Sequence, residues 1–184
     1  MIVYRCFAWR ERRRGREGDG PLWFPRPYQG EGKHDNPEGY GCLYLADREV
    51  SSIVEQLARF RGQPLVPSML VRRGLPLAVA ALELADDAEL IDLDEPDVLK
   101  AAGLRPSVVA TRIREVTQPQ ARRFHDGRPL AAGLRWWSVF ESLWANVTVF
   151  ERAAGRLRLL EVRALAPDDG SVLEAAELLG LRGV

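Results

Sequence analysis

The segment GLRWWSVFESLWANVTVF, residues 133–150, contains two short apolar runs separated by a stretch that includes Ser138, Glu141 and Ser142. The runs at 133–137 and 146–151 are rich in aromatic and β-branched residues, which is typical of β-strands. The two runs follow each other closely along the chain. Short consecutive strands without a regular βαβ alternation favour an α+β fold over a doubly wound α/β fold.

The chain on both sides of this segment continues the pattern of short strands, with helices between some of them. Alternation and residue type predict further strands at 2–9, 40–46, 68–72, 78–84, 90–93 and 156–164. Apolar periodicity and capping residues predict helices at 47–60 with Asp47 as N-cap, at 97–102, at 117–125 with a capping box that starts at Thr117, and at 171–179. Helical and extended interpretations compete at 107–116. We therefore expect one α+β domain over residues 1–184.

Composition and charge exclude several functional classes. Lys+Arg and Asp+Glu both number 26, so the chain lacks the basic excess that nucleic-acid binders carry. Cys6 and Cys42 have no metal-binding spacing, and two thiols fit a reducing compartment. The N-terminal residues lack the apolar run of a signal peptide, and no run approaches the ~18 apolar residues of a membrane span. We expect a cytoplasmic protein without a metal site.

Residues 10–38 form a long segment with no apolar period between two predicted strands. Loops of this length in compact domains are usually functional or disordered. Its aromatic residues Trp23, Phe24 and Tyr28 argue against disorder, so we expect a partly ordered flap. Its first part, RERRRGR at 10–16, is strongly basic.

Arg5 lies in the middle of the first predicted strand, on one face with Val3 and Phe7. An arginine on an apolar face costs free energy unless it is paired. A buried ion pair, an edge position, or a guanidinium fork that binds a diphosphate or carboxylate would each explain it. The residue alone does not choose among them.

Further polar candidates stand at strand ends and on one helix. Lys33 and His34 add positive or titratable charge to a glycine-rich turn, and Tyr44 is either a core residue or a stacking face. Glu55 lies off the apolar stripe of its helix, where a solvent-exposed face is the simpler interpretation. Ser138 directly follows an apolar strand, in a region where dense tryptophans would suit a planar ligand.

Four pieces of the sequence, taken in order, resemble the RES domain, which is named for an arginine, a glutamate and a serine. They are Tyr4-Arg5, the motif GxxDNPxxYGxLYLA at 32–46, the helix segment IVE that ends at Glu55, and GLRWWS…NVTVF at 133–150. Together they cover nearly the whole chain. In one departure, Lys33 stands where many family members have an arginine. Lysine keeps the charge but loses the bidentate fork.

The resemblance implies a fold similar to that of the ADP-ribosyltransferases, with a core of short, mostly antiparallel strands and flanking helices. It also implies that the protein degrades NAD⁺ by phosphorolysis or hydrolysis of the nicotinamide–ribose bond. NAD⁺ would then be the substrate, with inorganic phosphate as co-substrate in phosphorolysis and no further cofactor. The catalytic residues implied in this way are Arg5, Glu55 and Ser138, and the implied substrate-binding residues are Tyr4, Lys33, Tyr44, Trp137 and Asn146.

The same resemblance implies a toxin that is neutralised by a cognate Xre-like antitoxin, with nucleic acid contacted only through that partner. Three alternatives stay open at this point. The protein could be an ADP-ribosyltransferase that modifies a macromolecule, a binding module whose basic residues 10–16 contact nucleic acid, or a RES protein that has lost activity. The enzymatic hypothesis requires that the groups of Arg5, Glu55 and Ser138 meet in one pocket.

Overall fold

A computed structural model of the chain describes residues 1–181, which form eight strands and five helices. The strands are β1 (Ile2–Ala8), β2 (Cys42–Ala46), β3 (Val71–Arg72), β4 (Leu75–Leu84), β5 (Leu90–Asp92), β6 (Gly133–Trp137), β7 (Ala145–Phe150) and β8 (Leu157–Ala164). The helices are α1 (Glu49–Leu57), α2 (Pro96–Ala102), α3 (Pro106–Ala110), α4 (Arg114–Gly127) and α5 (Gly170–Leu179). The pairs β1–β2, β1–β4, β3–β4 and β6–β7 are antiparallel and the pair β5–β6 is parallel, which confirms the predicted α+β class.

The chain divides into two compact units, which we describe separately. The first unit consists of Met1–Trp23, Leu45–Glu83 and the chain from Arg158 on, and the second consists of Phe24–Tyr44 and Leu84–Leu157. Strand β2 begins in the second unit and ends in the first. The prediction of one RES domain over residues 1–184, with a flap at 10–38, stays a prediction.

In the first unit, β1 is an interior strand. It pairs with β2 through Tyr4 and Ala46, and with β4 over its whole length, with Arg5 opposite Ala80. β4 also pairs with β3 and β8. Helix α1 packs on β1 and on α5 through a face that includes Ile53, Val54 and Leu57. Arg5 therefore lies in the middle of a strand that is paired on both sides.

In the second unit, β6 pairs with β7 and β5, and helices cover an apolar core. Trp136 of β6 lies opposite Asn146 of β7. The core contains buried side chains from the strands and from α2, α3 and α4, among them Ile91, Leu99, Val109, Ala121, Leu134, Trp136 and Phe150. Ser138 directly follows β6, and Asn146 lies in β7. The pairing of these two strands therefore holds both predicted site residues in place.

Most predicted elements are confirmed, and a few local predictions are wrong. Thr117 does not cap a helix, because α4 already begins at Arg114 and carries Pro119 within it. Asp47 is not the cap of α1, whose N-cap is Arg48 without a side-chain hydrogen bond. The predicted strand at 68–72 is mostly a 3₁₀ turn, Pro67–Leu70. The ambiguous stretch at 107–116 contains most of α3 and the first three residues of α4. None of the helices formed by residues 1–181 is long and apolar enough to cross a membrane.

Candidate functional site

Arg5 is buried in the first unit, with about 6% of its surface exposed. Its Nη1 donates hydrogen bonds to the carbonyl oxygens of Gly20 (3.2 Å) and Pro21 (2.6 Å). The guanidinium carbon lies 4.6 Å from the centre of the Phe7 ring, which is within cation–π range. The side chain is held by carbonyl dipoles and an aromatic face, and both contacts leave its full positive charge in place.

The two structural explanations for Arg5 that the sequence left open do not hold. β1 has a partner on each side, so Arg5 is not on an edge strand. Within residues 1–181, no carboxylate forms an ion pair with it. Burial, with a smaller contribution from the nearby Arg73, lowers the pKa of the Arg5 guanidinium to about 9, which still leaves it charged at neutral pH. A buried cation without a carboxylate partner is the arrangement expected where an anion binds.

The other two predicted residues of the first unit lie in different surroundings. Tyr4 precedes Arg5 in β1 and is partly buried, and adjacent strand residues point to opposite faces of the sheet. Glu55 lies on α1 with an exposed side chain. The carboxylate of Glu55 is therefore open to solvent, whereas the guanidinium of Arg5 is enclosed. The catalytic roles of both residues stay predictions.

In the second unit, Asp35 organises the glycine-rich turn of the motif at 32–46. Its Oδ2 accepts hydrogen bonds from the backbone N–H groups of Gly30 (2.8 Å) and Gly32 (2.7 Å). Its Oδ1 accepts one from the hydroxyl of Tyr44 (2.8 Å). The buried carboxylate thus fixes the backbone of the turn to strand β2. The motif is in large part a hydrogen-bonded scaffold.

Helix α4 holds the same turn from its other side. The amide of Gln118 donates to the carbonyl oxygens of Gly30 (3.0 Å) and Gly32 (2.9 Å), and the hydroxyl of Thr117 donates to the carbonyl of Lys33 (2.6 Å). The residues of the apparent capping box therefore form a tertiary contact with the turn. Its threonine and its glutamine reach across to the turn instead of closing their own helix.

The family resemblance implies that Tyr44 contacts the substrate, and its hydroxyl is engaged within the protein. It donates to Asp35 and accepts a hydrogen bond from the backbone N–H of His34 (2.8 Å). Burial, reinforced by Cys42 and Asp35, raises the pKa of the Tyr44 hydroxyl well above its usual range, so it stays protonated and can donate. Tyr44 thus connects β2 to the turn, and any ligand contact must come from its ring.

Lys33 and His34 do not provide two free charges. The Nζ of Lys33 donates to the carbonyl of Val109 (2.5 Å) and lies 4.4 Å from the centre of the Trp136 ring. His34 is buried, and its Nδ1 is 2.8 Å from the hydroxyl of Thr148. Burial and the charge of Lys33 lower the pKa of His34 to about 3. The imidazole is therefore neutral at physiological pH, and the expectation that it supplies switchable charge is wrong.

Ser138 begins the connection between β6 and β7 and is buried. Its backbone N–H donates to the carbonyl of Trp144 (2.8 Å), and its hydroxyl oxygen accepts from the N–H of Phe140 (3.2 Å). Trp137 is half-buried against the core of this unit, and Asn146 is buried opposite Trp136. The serine hydroxyl is held by its own turn, and no histidine base accompanies it in these contacts.

The structure gathers the predicted residues in two sets. Arg5, Tyr4 and Glu55 belong to the first unit, and the second unit contains the others, namely Lys33, Tyr44, Trp137, Ser138 and Asn146. The expectation that one pocket contains the whole catalytic set stays a prediction. Residues 1–181 contain no group of three or more His, Cys, Asp or Glu side chains placed to bind a metal ion.

Sequence reasoning missed the polar residues that support this region. Asp35 could have been found from its residue type, because aspartate side chains in turns commonly bond to nearby backbone groups. Thr148 interrupts an apolar strand, and its hydroxyl accepts a hydrogen bond from Nε1 of Trp136 (3.2 Å). Gln118 carried no local signal, since its partners are more than 80 residues away in sequence.

Replacement of Gly32 by alanine is expected to lower the free energy of unfolding by about 1–3 kcal/mol. A Cβ at this position would lie 2.5 Å from the Tyr44 hydroxyl and 2.7 Å from Oδ1 of Asp35, so the scaffold would have to open. Urea denaturation measures the loss. Gly127→Ala is the matched control, because a Cβ there meets nothing within 4 Å at the end of α4. Equal stability of the two variants would contradict the scaffold.

The buried His34 is expected to make the protein less stable in acid. The pKa of His34 is about 3 in the folded state and ~6.5 in an unfolded chain, so the unfolded state binds more protons between these values. This contribution to stability is complete above pH ~6.5 and declines as the pH falls towards 3, by up to ~1.4 kcal/mol per unit. His34→Gln should remove that part of the slope in urea denaturation at several pH values. Parallel slopes for the two proteins would refute the assignment.

The fold and these contacts define an α+β protein with a buried arginine in one unit and a hydrogen-bonded polar turn in the other. The model of the RES domain family matches residues 2–168. The chain therefore belongs to the RES domain family, and the resemblance of its four motifs is confirmed.

Among solved structures, the chain is similar to a chain of the MbcT–MbcA toxin–antitoxin complex of M. tuberculosis. The TM-score is 0.65 at 20% sequence identity, and the match covers 97% of this chain and 88% of that one. At this level of identity the likeness concerns the fold. The comparison with curated proteins gave no match.

Proposed function

We propose that this protein is an NAD⁺-degrading toxin that cleaves the nicotinamide–ribose bond and is neutralised by a cognate antitoxin. Membership of the RES domain family supports the toxin class, and the fold likeness to a toxin–antitoxin complex supports an antitoxin partner. The observation that carries the proposal is the buried guanidinium of Arg5, which has no carboxylate partner within residues 1–181. Such a group is suited to the diphosphate of a dinucleotide.

Cleavage of the nicotinamide–ribose bond passes through a sugar with oxocarbenium character and releases a neutral leaving group. The enzyme must hold the dinucleotide and stabilise the growing positive charge on the ring. We assign the binding of the diphosphate to Arg5, because Lys33 already contacts Val109 and Trp136. We assign binding of the ribose hydroxyls and stabilisation of the developing charge to Glu55, whose side chain is exposed on α1.

The residues of the second unit have supporting roles in this proposal. The ring of Tyr44 is held in place by the hydrogen bonds of its hydroxyl, which favours a fixed stacking surface for the nicotinamide ribose. Ser138 would hold a phosphate or ribose oxygen by a hydrogen bond. We do not assign it as a nucleophile, because the contacts of its hydroxyl include no base.

An enzyme that destroys NAD⁺ must be restrained in the cell that makes it. We propose that a protein antitoxin of the Xre type does this in the cytoplasm. The basic run at 10–16 does not form an independent nucleic-acid arm in this proposal. Arg10 pairs with Asp19, and Arg14 donates to the carbonyl of Val162 and lies over the ring of Trp9.

Incubation of the purified protein with NAD⁺, with and without inorganic phosphate, tests the proposal. Release of nicotinamide is expected, with ADP-ribose as the second product of hydrolysis or its 1″-phosphate as the second product of phosphorolysis. Mass spectrometry identifies these products. A stable mass increase on a protein without free ADP-ribose would instead define an ADP-ribosyltransferase. Undiminished NAD⁺ in the presence of folded protein would refute the proposed function.

A further inference from the structure

A groove opens in the second unit between strand β5 and the helices α2 and α4. Its volume is about 710 Å³, which is the size of a ligand-binding cleft. It is lined by β5 with the preceding Glu89, by one side of α2, and by the end of α4 with the following Arg128. The residues predicted for catalysis or for substrate binding are not among those that line it. The groove therefore needs an explanation of its own.

Strand β5 gives this groove a free sheet edge. β5 stands last in the strand order and pairs with β6 on one side, and no strand among residues 1–181 pairs with its other side. The backbone bonds that flank β5 also lead towards β6. The carbonyl of Glu89 accepts from the N–H of Ala132 (2.7 Å), and the N–H of Leu93 donates to the carbonyl of Arg135 (2.8 Å). An unpaired strand edge offers its N–H and C=O groups to an extended chain that lies beside it.

The middle of the groove is apolar and partly open to water. Leu90 of β5, Val98 of α2 and Phe124 of α4 line it, and each is partly buried. Leu130, two residues after Arg128, is 88% exposed. Burial of such surface against a partner is favourable, because it removes apolar area from water. A segment with at least one apolar side chain therefore suits the groove.

Unpaired charges of opposite sign stand on the two walls of the groove. Glu89 and Asp97 belong to the wall of β5 and α2, and Arg128 follows α4 on the other wall. All three residues are exposed, and their side chains make no hydrogen bond or ion pair within residues 1–181. A partner that carries charges of both signs would therefore complement the groove.

Two further charged residues of the lining are already bound within the protein. Asp92 accepts a hydrogen bond from Arg135 (2.6 Å), and Arg123 donates to the carbonyl of Ala102 (2.8 Å). The charged side chains left without an internal partner in the lining are thus two carboxylates on one wall and one guanidinium on the other.

We propose that the groove binds an extended peptide segment of a protein partner, which adds a strand to the free edge of β5. Main-chain hydrogen bonds to β5 hold the segment, and because β5 has three residues, about five residues of peptide cover it. Alternate side chains of such a segment point to the same face. The matching segment therefore has a basic, an apolar and an acidic side chain at alternate positions. The basic one pairs with Glu89 and Asp97, the apolar one fills the middle of the groove, and the acidic one pairs with Arg128.

Fluorescence anisotropy with the full chain and two labelled test peptides with blocked ends tests the site. The peptide Lys-Val-Leu-Val-Glu has the matching pattern, and Lys-Val-Leu-Val-Lys differs from it in the sign of one charge. The wild-type protein is expected to bind the first peptide several-fold more tightly, and Arg128→Glu is expected to reverse this preference. Arg105→Glu is the matched control, because Arg105 is an exposed arginine of the same unit that does not line the groove. It should keep the preference of the wild type.

Two further measurements test the position of the peptide and its mode of binding. Ala101→Trp replaces an exposed alanine on the α2 wall, so it should fill the groove and abolish the binding of both peptides without lowering the melting temperature. Methylation of the backbone nitrogens of the peptide should abolish binding too, because it removes the N–H groups that pair with β5.

Each contrary result overturns the peptide site. Equal affinity of the wild type for both peptides, or a preference that survives Arg128→Glu, would remove the charged walls from recognition. Binding that persists in Ala101→Trp, or after methylation of the peptide, would place the peptide elsewhere. A wild-type dimer in sedimentation equilibrium that Ala101→Trp dissociates would assign the groove to a second copy of this chain. None of these readouts depends on NAD⁺ turnover, so the groove and the proposed function stand or fall separately.

Discussion

Replacement of Arg5 by methionine is expected to lower the rate of NAD⁺ consumption by at least about 100-fold while the protein stays folded. The guanidinium is the buried cation to which we assign the diphosphate, and methionine fills similar space without the charge. The variant loses two hydrogen bonds to carbonyls but also the cost of an enclosed charge. Because these effects oppose each other, we expect the free energy of unfolding to change by less than about 2 kcal/mol.

Two measurements on the Arg5 variants test this expectation. Nicotinamide release reports activity, and urea denaturation reports the fold. Arg5→Lys is the informative companion, since it keeps a positive charge and loses the fork, and it should retain little of the activity. Wild-type turnover by a folded Arg5→Met protein would remove the guanidinium from the mechanism.

Replacement of Glu55 by glutamine is expected to reduce nicotinamide release about 100-fold or more, with no measurable change in stability. The side chain is exposed on α1, so the isosteric amide should leave the packing of this helix intact. The amide keeps the shape of the side chain and loses the negative charge that would offset the developing positive charge on the ribose. The defect should therefore be in kcat more than in KM.

Glu174→Gln provides the matched control for this experiment. Glu174 is an exposed glutamate on α5 in the same unit, and its replacement removes the same charge from another helix surface. It should consume NAD⁺ at the wild-type rate. If Glu55→Gln is as active as Glu174→Gln, the exposed carboxylate on α1 is an ordinary solvent-facing residue, which was the simpler interpretation of the sequence.

The parts of the fold that follow from local patterning could be predicted from the sequence. Strands β1, β6 and β7 and helix α5 were found because alternation or helical periodicity is clear within each of them. The predictions failed where a tertiary contact decides the local structure. Thr117 has the residue type of a cap, but its hydroxyl is used by the carbonyl of Lys33, and α4 starts three residues earlier.

The candidate site was less accessible to sequence reasoning than the fold. The position of Arg5 on an apolar strand face was evident, but whether it has a carboxylate partner depends on residues that are distant in sequence. The motif at 32–46 was recognised as a unit, but the hydrogen bonds within it were not predicted. Asp35 determines the shape of the turn through three hydrogen bonds, and the sequence shows its residue type but not these partners.

The first unit is assembled from three separate stretches of chain, and this has a consequence for biosynthesis. β1 leaves the ribosome long before its partner β4, since Ile2 pairs with Glu83. Helix α5, which packs on α1, begins only at Gly170. Contacts between such distant segments form late, because the entropy of closing the long intervening loops must be overcome first. A nascent chain therefore exposes Arg5 to water without the framework that surrounds it in the folded protein. The surroundings of Arg5 are therefore completed only after β4 has been synthesised, and the packing of α1 only after α5 has followed.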